Sequence, residues 1–162
     1  MVEAKYTGFI VNPIVGQNVA ERVVARMEDG TLYIIGTGSA TRAIMERLAL
    51  PSFLFGVDVV LDKQLIATNV TEGVLWNLIQ GFKGNVKIIV TIVAGQNNVY
   101  GWDNQQISSR IIRYVGQENI VFLSYETDPA SLSGKPLCVE TGDSELDEEL
   151  CSVMEATAAN GN

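Results

Sequence analysis

No histidine occurs anywhere in the 162 residues. Its absence removes Ser-His and Cys-His nucleophilic catalysis and the commonest zinc ligand. Any chemistry must then rest on carboxylates, Lys, hydroxyls or a metal held by oxygen atoms. Cysteine is nearly as scarce, with only Cys138 and Cys151. One disulfide or two reduced, core-facing thiols both satisfy that count, and reduced thiols in a cytoplasmic protein are the plainer expectation. Basic residues are also few. Eleven Lys and Arg against nineteen Asp and Glu leave a net charge of −8, which argues against a general nucleic-acid binder, since phosphate contacts need clustered cations. A small anionic ligand is still admitted, because backbone amides and one or two basic side chains suffice locally. No apolar stretch approaches the ~20 residues of a membrane span. The opening MVEAKYTGFIVNP lacks the cleavage site and longer apolar core of a signal peptide. No membrane partner and a cytoplasmic location are therefore expected.

Hydrophobic residues make up 47% of the chain and charged residues 19%, the balance of a globular protein with a buried core. No Pro/Ser-rich linker divides it, so one domain is expected over residues 1–155, followed by a small polar tail, ATAANGN, expected to fray over 156–162. Apolar runs and helical stripes alternate. Residues 6–11, 32–35, 53–60, 65–68, 86–93, 120–123 and 136–140 read as strands, with Asp62-Lys63 as a turn between two of them. The run 86–93 is the longest and most β-branched and predicts a central strand. Between strands fall the stripes Val19, Val23, Val24, Met27; Ala40, Ala43, Ile44, Leu48; Val74, Leu75, Leu78, Ile79, Phe82; and Ile107, Ile111, Ile112, Val115. A last helix is predicted over 144–155. This alternation predicts an α/β fold, layered, with a largely parallel sheet flanked by helices and one short hairpin.

In open α/β sheets the ligand crevice lies beyond the carboxyl ends of the strands. The most suggestive such end is GTGSAT, where the buried run 32–35 gives way to a helix. Ser39 reads as the N-cap, Thr41, Arg42, Glu46 and Arg47 as an outward face, and the first free N–H groups as pointing beyond the strand end. Helix starts attract anions, and glycine lets a ligand approach the backbone. The pattern is neither GxGxxG nor a GxxxxGK[ST] loop, so a phosphate cradle and a purely structural turn both remain open. Further polar residues gather at the same predicted rim. The candidate ligand-binding set is Asn12, Gly36, Thr37, Gly38, Ser39, Thr41, Asn69, Glu72, Gln96, Asn104, Gln105 and Asp143. The bland reading is that loops are polar and that Gly, Asn and Asp are ordinary turn residues.

Several segments are similar to the ATP-NAD kinase-like family that includes the acetoin-catabolism X protein. They are YIIGTGSATRAI (33–44), LFGVDVV (54–60), TNVTE (68–72), TIVAGQNNVYGWDNQQISSRIIRYVGQENIVFL (91–123) and PLCVETGDSELDEEL (136–150). The similarity spans nearly all of residues 31–154 and resembles the family's C-terminal domain. YTGFIVNPIVG (6–16) resembles the first strand of its N-terminal domain. The resemblance implies ATP or NAD as ligand. Members that phosphorylate NAD carry a GGDGT loop with a catalytic acid, and this chain has none. The expectation is therefore a nucleotide- or phosphate-binding protein without a complete kinase centre, its enzymatic status open.

Phosphoryl transfer chiefly needs positioning and charge neutralisation. Asp58, Glu72, Asp103 and Asp143 are the carboxylates expected near the rim, and such hard oxygen ligands suit Mg²⁺. No dedicated metal-ligand set is assigned. Asp58, inside FGVDVV, is either held in a structural salt bridge with a basic group or a catalytic base. Glu72 suits the first turn of a helix equally well. The amide-rich 94–104 loop, with Tyr100 and Trp102, suits reading a base or ribose, or merely plugs the core edge. Two other functions compete. GTGS between strand and helix also resembles the phosphate turn of ribose-phosphate isomerases and glucosamine-phosphate deaminases, although GVDVVLD and Lys83-Gly84 fit their other motifs poorly. A non-catalytic oligomerisation or regulatory module is the third. It rests on a strand at 119–124 left at a sheet edge, which would need cover, and it implies a homodimer.

Overall fold

In the computed structural model, the residues described are 13–16, 18–52, 56–93, 98–100, 106–124, 130, 133–134, 136–137, 144–150, 152–153 and 157–158. The long apolar run forms β5 (Val86–Val93) and sits inside the sheet. It pairs in parallel with β2 (Leu32–Ile35) on one side and β7 (Ile120–Ser124) on the other. Beyond β7 lie β1 (Ile14–Val15) and β10 (Thr157–Ala158), both parallel. Beyond β2 lies the antiparallel hairpin of β3 (Asp58–Leu61) and β4 (Gln64–Ala67). The eight-stranded sheet runs β10-β1-β7-β5-β2-β3-β4, with β6 (Asn98–Tyr100) antiparallel to the end of β5. A separate antiparallel pair joins β8 (Pro136–Leu137) and β9 (Ser152–Val153). The layered, largely parallel α/β architecture is thus present, hairpin included.

Side-chain alternation sorts the core into two layers, because successive strand residues face opposite sides. Ile14, Tyr33, Ile35, Val60, Ile89 and Leu123 pack under α1 (Val19–Arg26) and α2 (Ser39–Arg47), which supply Val19, Val23, Ala40, Ile44 and Met45. Leu32, Ile34, Val59, Ile88, Val90 and Phe122 pack under α3 (Glu72–Gly81) and α4 (Ser109–Val115), which supply Leu75, Ile79, Ile111, Ile112 and Val115. Leu146 of α5 (Ser144–Leu150) joins this second layer. Burial on both faces is why the central strands read as unbroken apolar runs.

The hairpin turn has the residues its geometry demands. Asp62 and Lys63 both take positive φ, 53° and 61°, as a two-residue primed turn requires. The Asp62 carboxylate accepts a hydrogen bond from the Gly30 N–H at 2.8 Å, tying the hairpin tip to the turn before β2.

Five expectations change. Residues 157–158, inside the segment expected to fray, pair with Ile14 and Val15 as β10, because β1 offers a free backbone edge. The strand at 120–124 lies between β1 and β5, so it is no sheet edge and gives no reason for a homodimer. The last helix stops at Leu150, and the chain turns extended at β9. In α3, Val74 is half exposed, since the stripe that meets the sheet is Leu75 and Ile79. Part of the strand expected at 53–60 falls at 53–55, outside the described residues, and β3 begins only at Asp58.

Gly84 sits where the chain entering β5 crosses the turn before β2. A Cβ there would lie 2.6 Å from the Gly30 carbonyl oxygen and 2.8 Å from the Phe82 ring. One contact is backbone, so the Gly84→Ala chain must shift a turn rather than a rotamer. A loss of about 1–3 kcal/mol in urea unfolding is expected.

Candidate functional site

The turn between β2 and α2 lies at the carboxyl end of the parallel strands. Gly36 continues the ladder, donating its N–H to the Ile89 carbonyl at 2.9 Å, and its amide is therefore occupied. Gly36 and Thr37 are buried. Gly38, not Ser39, is the residue that caps α2. It has φ 120° and ψ 171°, a conformation that a side chain strains against. Ser39 is the first helical residue and is exposed. No acidic residue stands in the first turn of α2.

Thr41 corrects the expectation of an outward face. It is buried, and its hydroxyl donates back to the Gly38 carbonyl at 3.1 Å, which also accepts the Arg42 N–H at 3.1 Å. The helix start is thus held from its carbonyl side. Directly opposite stands Thr91 of β5. Its hydroxyl is buried and has no hydrogen-bond partner among the described residues, and a Cβ on Gly38 would lie 3.2 Å from it. Glycine at 38 is therefore required twice, by its dihedral and by this close approach. Leaving a buried hydroxyl unpaired costs about 1–3 kcal/mol.

Asp58 completes the same edge. It is the first residue of β3, directly across from Ile35, and only 2% exposed. The expected salt bridge is not formed among the described residues, where the carboxylate meets neutral groups instead. Its Oδ1 accepts the Thr68 hydroxyl at 2.6 Å and the Asn69 N–H at 3.1 Å. Asn69 holds a left-handed φ of 48° to place that N–H, and its side chain packs against Gly56, where a Cβ would lie 3.0 Å from Oδ1 of Asn69. Gly36, Gly38, Thr41, Arg42, Ser52 and Asp58 line one narrow crevice. β6 stands over this end of the sheet. Thr91 pairs with both Leu123 and Tyr100, so β6 takes the place beside β5 that β2 leaves after Ile35. Part of the loop expected at 94–104 is accordingly a strand.

Glu72 goes elsewhere. It lies in the first turn of α3, whose N-cap Thr71 accepts the Val74 N–H at 3.3 Å. That helix covers the other face of the sheet from α2. The Glu72 carboxylate takes both guanidinium bonds of Arg110, at 2.6 and 2.7 Å, and the Ser108 hydroxyl at 2.6 Å. Arg110 in turn lies 4.5 Å above the Trp76 ring, which meets Tyr114 edge-on at 5.7 Å. This clip joins α3 to α4 and leaves Glu72 committed to structure. Asn12, Gln96, Asn104, Gln105 and Asp143, with Asp103, lie outside the described residues.

So Gly36, Gly38, Thr41 and Asp58 come together, with Asn69 behind Asp58 and Ser39 beside them, while Thr37 is enclosed and Glu72 is not part of the group. Thr91 escaped the sequence reading because threonine is an ordinary strand former. The signal was its position as the lone hydroxyl within VKIIVTIV. Among the described residues no three of His, Cys, Asp or Glu gather to hold a metal, and no helix is long and apolar enough to cross a membrane. Comparison with family models, curated proteins and solved structures finds no match to this chain.

Hydrogen bonds from Arg110 and then Ser108 hold the Glu72 carboxyl below its ordinary value of 4.5. A lowered folded-state pKa stabilises the fold above the unfolded value and ceases to do so as pH falls through the folded one. Glu72→Gln is therefore expected to lower Tm at pH 7 by on the order of 2 °C, since the pair is solvent-screened. Thermal scans at descending pH should show the two proteins converging below pH 4.5.

Proposed function

We propose that this chain binds a small phosphorylated ligand at the β2–α2 turn, with ATP and NAD the leading candidates. The buried, unpartnered Thr91 hydroxyl facing Gly38 carries the reading. A hydroxyl donor, a glycine without a Cβ and a helix start together make an anion-favouring corner. Arg42, exposed on the first turn of α2 and bordering the crevice, adds a positive charge within reach of a phosphate. The resemblance of GTGSATRAI and its neighbours to the ATP-NAD kinase-like family supports a nucleotide over a bare anion.

Asp58 is the described carboxylate able to hold Mg²⁺ there. Both of its hydrogen bonds fall on Oδ1, and Mg²⁺ bound with a phosphate needs only one or two protein carboxylates. Bound Mg²⁺ would neutralise phosphate charge. Thr68 and Asn69 fix the carboxylate's orientation. With no GGDGT loop in the sequence, binding rather than phosphoryl transfer is the function proposed. The setting proposed is cytoplasmic. A homodimer is retained through a different edge, β4, where Ile66 is exposed, and light scattering reads its mass.

Calorimetric titration with ATP, NAD, ribose 5-phosphate and inorganic phosphate tests the proposal. Saturable heat with at least one is expected, and silence with all four overturns it. Thr91→Val separates ligand binding from folding. Removing an unpaired buried hydroxyl should raise stability by about 1 kcal/mol in urea, while the lost hydrogen bond weakens binding by about tenfold. Unchanged affinity would remove Thr91 from the site.

A further inference from the structure

At the opposite end of the same sheet face lies a second cavity, of about 160 Å³. Ile14, Ile89 and Val121 form its floor, and Val23 and Met27 of α1 and the segment after it form its wall. Tyr33 and Lys87, paired in register across β2 and β5, stand at the base of these strands. The Tyr33 hydroxyl is already engaged, accepting the Glu28 N–H at 2.8 Å. Lys87 reaches Glu28 only loosely, at 3.8 Å. Arg26, the last residue of α1, also lines the cavity, is exposed, and has no ion-pair partner among the described residues. Arg26 and Lys87 are the charged residues that line the cavity, and among the described residues no acid lines it, in a chain whose net charge is −8.

An aliphatic cavity on the order of 150 Å³ accepts a guest the size of benzene. We propose that this cavity binds a monocarboxylate with an apolar body of about six carbons, its tail against Ile14, Ile89 and Val121 and its carboxylate at Arg26. The apolar floor supplies affinity through burial, and the charge at the mouth selects an acid over a neutral molecule of the same shape. A phosphate has no apolar part to fill the floor, so the site differs from the β2–α2 turn in ligand as well as in place.

Methyl-resolved NMR titration of the full chain with hexanoate, and with 1-hexanol as neutral isostere, tests this. Hexanoate is expected to shift the Ile14, Ile89 and Val121 methyls saturably, with 1-hexanol about tenfold weaker. Arg26→Glu, at an exposed position that leaves the fold intact, should weaken hexanoate about tenfold and leave 1-hexanol unaffected. Shifts confined to other methyls overturn the proposal, as does an Arg26→Glu chain that binds hexanoate equally well, which would mark an unselective apolar hole. Cross-relaxation from residues 1–12 onto those methyls, unaltered by hexanoate, overturns it too, since the cavity would then be filled by the chain itself. Failure here leaves the calorimetric result at the β2–α2 turn untouched, and the reverse holds.

Discussion

Everything in this molecule hangs on β5 being buried from both sides. Parallel pairing with β2 and β7 satisfies its backbone, and the two helical layers cover its faces. A strand so placed tolerates polar side chains only where something meets them. Lys87 escapes at the end of the strand, and Thr91 does not escape. The unpaired hydroxyl is the clearest departure from a purely structural sheet. It falls where β2 has ended and α2 begins, with Gly38 close against it. It is the observation on which the proposal of a ligand at this turn stands.

The same geometry explains why the two ends of one sheet face differ. Toward the carboxyl ends of the parallel strands, α2 presents its N-terminus, and the residues about it are short and polar. Toward the amino ends, α1 presents its C-terminus, Arg26 and Met27, over Ile89 and Val121. The strands run in parallel, so one end collects helix starts and the other helix ends. The two proposed ligands follow that division, an anion held by backbone and hydroxyl at one end and an apolar body beneath a long cationic side chain at the other.

Much of the framework was legible along the chain. The run 86–93, the strand 32–35 and the Asp62-Lys63 turn appear where periodicity and turn chemistry place them. The glycine turn and Asp58 do stand on one rim. Pairing partners were not legible. Glu72 looked free for a ligand until Ser108 and Arg110, more than thirty residues later, closed on it. Thr41 looked outward because a helical stripe fixes faces only to within a residue, and its hydroxyl turned back to Gly38.

Local order was written in the sequence because it depends on near neighbours. Apolar spacing chooses strand or helix, glycine permits φ 120° at position 38, and a lack of histidine limits the chemistry whatever the fold. Which strands adjoin was decided only in three dimensions. Strand 120–124 became interior and 157–158 joined the sheet because backbone edges seek any available partner, a matter of space rather than of spacing. The orphaned Thr91 hydroxyl belongs to that second kind of fact, for a side chain lacks a partner only relative to everything folded around it.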